Sequence, residues 1–236
     1  MDGNQGHYPQ RPSRDPKKQI GDVLQFVEFS NLARSDLRDI FYKGYDKDGK
    51  AVRIQERTGD HVSQLLLVAW FLIDYFHLSL DFGVVAKKII VHDLPEAKAE
   101  GRDTPAFPNP HNPKAASRVD KEERERKARR EIAREWGFRA PGIVAEMERY
   151  ALQDDEEDLF VCALDKFLAD MNIFLDEGYT NRYLEVTAEK KWAYKSRRVA
   201  VHKDVAKWYK SFWDIFYMAH PEYFHQPVKL RLVPAE

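Results

Sequence analysis

Apolar residues return along this chain every three or four positions, in runs of several helical turns separated by proline- and glycine-bearing breaks. That period calls for amphipathic helices packed on one another and leaves little room for strands, whose side chains alternate with a period of two. Helices are expected from Ile20 through "IGDVLQFVEFSNLAR", from His61 to about His77, and from about Phe82 to Asp93, with Pro95 marking the stop. "SRVDKEERERKARREIAREWG" is dense in good helix formers with opposite charges four apart, and Gly137 is its expected C-cap. Further helices are expected near Pro141 to Leu152 and near Glu156 to Asp176. The aromatic stripe of "AVHKDVAKWYKSFWDIFYMAHPEYF" suits a terminal helix docked on a core. The exception is "FYKGYDKDGKAVRIQ", which reads as strand, turn, strand around Asp48-Gly49. The fold class is therefore all-α, with a small β-hairpin near residues 40–55.

The 236 residues allow one large domain or two small ones. "MDGNQGHYPQRPSRDPKK" is polar and unpatterned, so residues 1–18 are expected to be a disordered leader. Residues 19–180 are expected to form the main domain, with 181–236 as a helical extension on it. "GRDTPAFPNPHNPKAA" has too many prolines for anything but a loop. With 38 basic and 39 acidic residues, no net field points to nucleic acid or an anionic membrane. The one cysteine, Cys162, excludes an internal disulfide framework and fits a reducing, cytoplasmic compartment. The longest apolar run, Leu65 to Ile73, is too short to span a bilayer, and no signal-peptide pattern opens the sequence.

Several polar residues fall on apolar helix faces. His61 shares a line with Leu65, Val68, Leu72 and Phe76. His92 and Asp93 follow Ile89 by three and four positions. Asp165 sits between Val161 and Leu168, beside the stripe Phe160, Leu164, Leu168, Met171, Leu175. An unpaired buried carboxylate costs several kcal/mol or neutralises, so each of these groups needs a partner. One divalent cation satisfies two carboxylates and two imidazoles together. Mixed nitrogen and oxygen ligation suits manganese, cobalt, iron, nickel or zinc. Singly, each residue has a plainer reading: a core histidine bonded to a carbonyl, or an aspartate paired with Arg or Lys. The ordered set His61, His92-Asp93, Asp165 is what favours the metal.

That set resembles the HD-domain metal-dependent phosphohydrolases, and more narrowly their 5'-deoxynucleotidase branch. "RTGDHVSQLLLVAWFL", "VHDLPEAKAEGRDTP" and "EEDLFVCALDKFLADMNIFLDEG" carry the resemblance, over roughly residues 20 to 180. It implies an HD-domain helical bundle that binds one divalent metal, magnesium included, through His61, His92, Asp93 and Asp165. A metal-bound water would attack the phosphorus of a (deoxy)nucleoside monophosphate. Glu96 would be the catalytic carboxylate and Asp103 a second one, although Asp103 lies about two residues further from Asp93 than the family spacing. Arg38 matches the family's phosphate-binding arginine across a lengthened connection, with Arg34 and Arg53 as alternatives and Lys114 or Arg118 as further candidates. Homodimerisation is also implied, with no stable nucleic-acid or membrane partner.

Other functions stay open at this stage. The same site in HD proteins serves triphosphate hydrolases, cyclic phosphodiesterases and guanosine tetraphosphate hydrolases. A diiron oxygenase on this scaffold would need two further histidines between Asp93 and Asp165, where only His111 lies. A non-catalytic module with a structural metal is the third class.

Overall fold

The computed structural model describes residues 15–98, 107–111 and 121–226. The chain divides into two compact units, each assembled from segments far apart in sequence. The first comprises Met1–Leu37, Arg57–Thr104 and Ala116–Asp158, and the second Arg38–Glu56, Pro105–Ala115 and Leu159–Glu236.

In the first unit, α1 (Pro16–Ser35) begins four residues before the expected Ile20. Asp15 is the reason: its carboxylate accepts the Lys17 N–H at 3.0 Å, and Pro16 has its φ preset for the first turn. Phe29 stacks on Trp136 at 5.9 Å while Phe26 meets the same indole edge-on at 5.1 Å. Val91, Ile132 and Met147 complete that cluster. Helix α2 (Thr58–Phe76) buries Thr58, His61, Leu65, Ala69 and Ile73 along one stripe, and it stops at His77, whose φ of 52° is left-handed. Helix α3 (Phe82–Val91) starts on Asp81, which accepts the N–H groups of Gly83 and Val84. Its regular part ends at Val91, two residues short of the expected Asp93, and a 3₁₀ turn over Leu94–Ala97 follows with Pro95 in its first turn. Helix α4 (Lys121–Trp136) turns only Ala128, Ile132 and Trp136 inward among its charges, and α5 (Pro141–Tyr150) packs against both α3 and α4.

The second unit contains the hairpin, β1 (Leu37–Tyr45) paired with β2 (Ala51–Arg57), β1's first residue lying just before the unit boundary and β2's last just after it. Asp46 closes the turn by accepting the N–H groups of Asp48 and Lys50, and Gly49 supplies the φ of +75°. Helix α6 (Glu156–Leu175) begins in the last residues of the first unit and runs on through the second, burying Phe160, Val161, Ala163, Leu164 and Leu168. Short α7 (Tyr179–Tyr183), then α8 (Ala188–Val199) and α9 (Lys203–Phe212) follow, and the chain continues from α9 as a π turn over Trp213–Tyr217. The aromatic stripe is buried at Tyr209, Trp213 and Tyr217, and buried Asp170 receives the Tyr209 hydroxyl at 2.9 Å and the Lys191 ammonium at 2.8 Å. No helix among the described residues is long and apolar enough to cross a membrane.

Candidate metal centre

His61 projects from the buried stripe of α2 and has no exposed surface. His92 stands at the C-terminal cap of α3, its ring 5.5 Å from that of His61, and the two residues offer ring nitrogens within 4.8 Å of one another. The structure thus brings together two of the histidines expected from the sequence, and Asp93 lies against the second: its Oδ2 is 3.1 Å from His92 Nε2.

The hydrogen bonds at His92 decide what that contact means. Nδ1 lies 2.7 Å from the Ile89 carbonyl, which can only accept, so Nδ1 carries a proton. In the neutral ring, Nε2 is then a lone pair facing a carboxylate oxygen. Two electron-pair donors at that distance call for a positive charge, either a second proton on the ring or a cation shared by both atoms. A metal-ligating histidine has this arrangement, with the far nitrogen held by a backbone carbonyl. Two buried imidazoles and an adjacent carboxylate are donors that suit a divalent transition metal.

Glu96 follows on the 3₁₀ turn, buried, with its N–H bonded to the Asp93 carbonyl at 3.0 Å. Its carboxylate accepts the Lys121 ammonium at 2.8 Å, and Lys121 also lies 3.3 Å from Glu125. The sequence reading missed Lys121: it lies 25 residues beyond Glu96, across the proline loop, and packing of α4 on the 3₁₀ turn brings the two together.

In the second unit, Asp165 is buried on α6 and Arg38 is buried on β1, not on a helix. They meet there. The Arg38 guanidinium lies 3.6 Å from Asp165 and 3.0 Å from Glu56, Asn172 donates to Glu56 at 3.1 Å, and Lys166 pairs with the Asp165 carboxylate. Glu56 and Asn172 were also missed, although Asn172 lies two turns past Asp165 on the same face of α6. Arg53, an alternative to Arg38, is committed to Asp176 at 2.7 Å and stacks 3.8 Å over the Tyr179 ring. Arg34 is exposed on α1. His111 contacts the Tyr183 carbonyl at 3.0 Å and its ring. Asp103, Lys114 and Arg118 lie outside the described residues.

The sequence matches the HD domain over residues 36–206. No curated protein matches it significantly. Among solved structures, the fold is similar to the crystal structure of a predicted metal-dependent phosphohydrolase from Magnetospirillum magnetotacticum MS-1. The TM-score is 0.65 and the identity 23%, over 89% of this chain and 98% of that one.

Proposed function

Because the chain belongs to the HD-domain family, we propose that it is a metal-dependent phosphohydrolase that releases phosphate from (deoxy)nucleoside monophosphates. The observation that carries this reading is that His61 and His92 face one another, with Asp93 against His92 and Glu96 one short turn away. The structural likeness to a protein described as a predicted metal-dependent phosphohydrolase supports it.

In this reading His61, His92, Asp93 and Asp165 hold one divalent cation, drawn from manganese, cobalt, iron, nickel, zinc or magnesium. Such an ion, when bound, lowers the pKa of water and polarises a phosphoryl oxygen. The chain's own groups do the rest. Glu96 takes the proton of the attacking water, and Lys121 holds its carboxylate in place. Arg38 contacts the substrate phosphate through its planar fork of donors, sharing them with Glu56 and Asp165. Asp103, Lys114 and Arg118 are assigned supporting contacts to the leaving group and phosphate. The partner is a free nucleotide and no stable nucleic acid, and the one cysteine, buried on α6, suits a cytoplasmic setting.

The test is phosphate release from a panel of nucleoside mono- and triphosphates, by metal-stripped protein reloaded with manganese, cobalt or magnesium. Turnover of monophosphates is expected. It should fall by about 10²–10⁴ in Glu96→Gln with metal affinity retained, whereas Asp93→Ala should lose both metal and turnover. Turnover of triphosphates alone would keep the chemistry and change the substrate. No turnover by metal-loaded protein would overturn the enzyme reading.

A further inference from the structure

Helix α8 buries two lysines. Lys191 and Lys195 stand one turn apart on the face that α8 turns inward with Val199. Lys191 lies 2.8 Å from Asp170 and donates to Asn181 at 2.8 Å, whereas Lys195 lies 3.5 Å from the same Asp170 oxygen. Asp170 also accepts the Tyr209 hydroxyl, so one carboxylate serves two ammonium groups and a phenol. Taking an ammonium out of water is costly unless a carboxylate compensates it. Lys195 shares its carboxylate with Lys191, and burial pulls its pKa down to about 8. An apolar side chain of similar length would fill the position without that cost, so what the lysine adds is charge.

The charge is set against α6. Lys195 donates to the main-chain carbonyl of Lys166 at 2.8 Å, the residue that follows Asp165. Arg38 and Lys166 both pair with the Asp165 carboxylate, so Lys195 is a third cation close behind it. Among the described residues this linked group holds four cations, Arg38, Lys166, Lys191 and Lys195, against three anions, Glu56, Asp165 and Asp170. The excess is positive before any metal is added. An excess of that sign opposes a further cation and favours an anion, and the planar fork of Arg38 suits phosphate.

We propose that Lys195 is a positioning residue for phosphate: its buried charge, held against the turn of α6 that carries Asp165, strengthens anion binding at Arg38 and weakens cation binding at Asp165. The proposal rests on the assignment of phosphate to Arg38 and of the metal to Asp165. Its two effects have opposite signs, which a merely structural role would not produce, since a lysine that only braced α6 would loosen both sites together on removal.

Titration calorimetry of the chelator-stripped full chain tests it with two separate probes, inorganic phosphate and manganese. In Lys195→Met phosphate should bind about fivefold more weakly and manganese about fivefold more tightly, and Lys195→Arg should return both toward wild type. The wild type supplies a check that needs no substitution. The groups facing Lys195 are Asp165, Lys166 and Asp170 from α6 and Lys191 from α8, while the Tyr209 hydroxyl of α9, pushed well above its ordinary range by burial, keeps its proton. From pH 7 to about 9.5 phosphate affinity should therefore fall with a midpoint near 8 as Lys195 loses its charge, and Lys195→Met should lack that fall. Weaker binding of both probes in Lys195→Met would overturn the proposal. So would unchanged affinities, a wild type that binds no phosphate or, where Lys195→Met does not fold, a flat pH profile in the wild type. Phosphate binding with the expected pH dependence but no turnover of any nucleotide would leave the proposal standing and sink only the phosphohydrolase reading.

Discussion

Lys88 shows what one buried charge does in this protein. Its ammonium has no exposed surface and lies 2.5 Å from Asp158, 2.9 Å from Asp155 and 3.6 Å from Glu146. Burial works against the charge, yet the hydrogen bonds to Asp158 and Asp155 outweigh it and hold Lys88 above its ordinary pKa. Burial also pushes on both carboxyls. At Asp155 the Lys88 ammonium and the Asp158 N–H overcome it and leave the group below the usual carboxylate range, whereas at fully buried Asp158 burial wins and the group stays above it. Replacing Lys88 with Met leaves a buried carboxylate without its cation, so Lys88→Met should destabilise the native state by about 3–5 kcal/mol at neutral pH. The linkage fixes how that changes with acid. Asp155 contributes stability above its ordinary pKa that is lost as pH falls through its lowered one. Asp158 has the opposite sign and costs stability as pH rises through its ordinary value toward the raised one. As the carboxyls protonate in acid Lys88 loses counter-charge, so the gap between wild type and Lys88→Met should shrink from pH 7 to pH 3 in urea unfolding. A gap that widened in acid would sink this account. None of this was legible beforehand, because Lys88 looks like one more lysine in "VVAKKIIV" until the fold sets it under carboxylates nearly 70 positions later. His61 was legible because helical periodicity put it on the inner face of α2, whereas His92 and Asp93 lie just past the last regular turn of α3.

At the scale of elements, the ends were harder to read than the middles. Period and composition placed the helices from α2 to α6 and the terminal aromatic one, but α8 (Ala188–Val199) was not read as a separate element, and α1 gains its first turn from Asp15 and Pro16, which lie inside a polar stretch whose composition reads as disorder. The hairpin was found through Asp48-Gly49, yet the side chain that closes the turn is Asp46. Two element ends yield contrasting predictions. Asp81→Ala removes one cap from α3 and should cost about 1 kcal/mol, since the freed N–H groups can turn to water. Gly178→Ala should cost more. Gly178 caps the start of α7 at a φ of +71°, and a Cβ there would stand 2.2 Å from the Tyr223 carbonyl oxygen and 2.4 Å from Tyr223 Cβ. Left-handed strain and backbone overlap together should exceed about 2 kcal/mol. Thermal unfolding of the two variants side by side checks the ranking, and equal losses would mean that the 3₁₀ turn Pro221–Tyr223 yields freely.

For the whole molecule, what the sequence could not reveal is the way the chain is shared out. Each unit draws on three stretches, and the boundaries at Leu37, Glu56 and Asp158 fall inside or at the edges of regular elements. No shift in composition and no linker marks such a cut, because it is made by packing between distant segments and not by local sequence. A cation bound by the proposed ligands would act on this same global balance, since it binds the folded arrangement of His61, His92 and Asp93 and not the unfolded chain. At free metal about one hundred times its dissociation constant, native-state linkage amounts to about 2.7 kcal/mol. For a chain of this length that corresponds to a Tm higher by roughly 5–10 °C. Reloading chelator-stripped protein with manganese or cobalt should therefore raise Tm in wild type and in Glu96→Gln, but not in Asp93→Ala. The comparison separates metal binding from catalysis, because Glu96→Gln is expected to keep the whole thermal shift while losing turnover. A shift of equal size in Asp93→Ala would place the stabilising metal elsewhere, and the acidic group Asp154, Asp155 and Asp158 would be the first place to look.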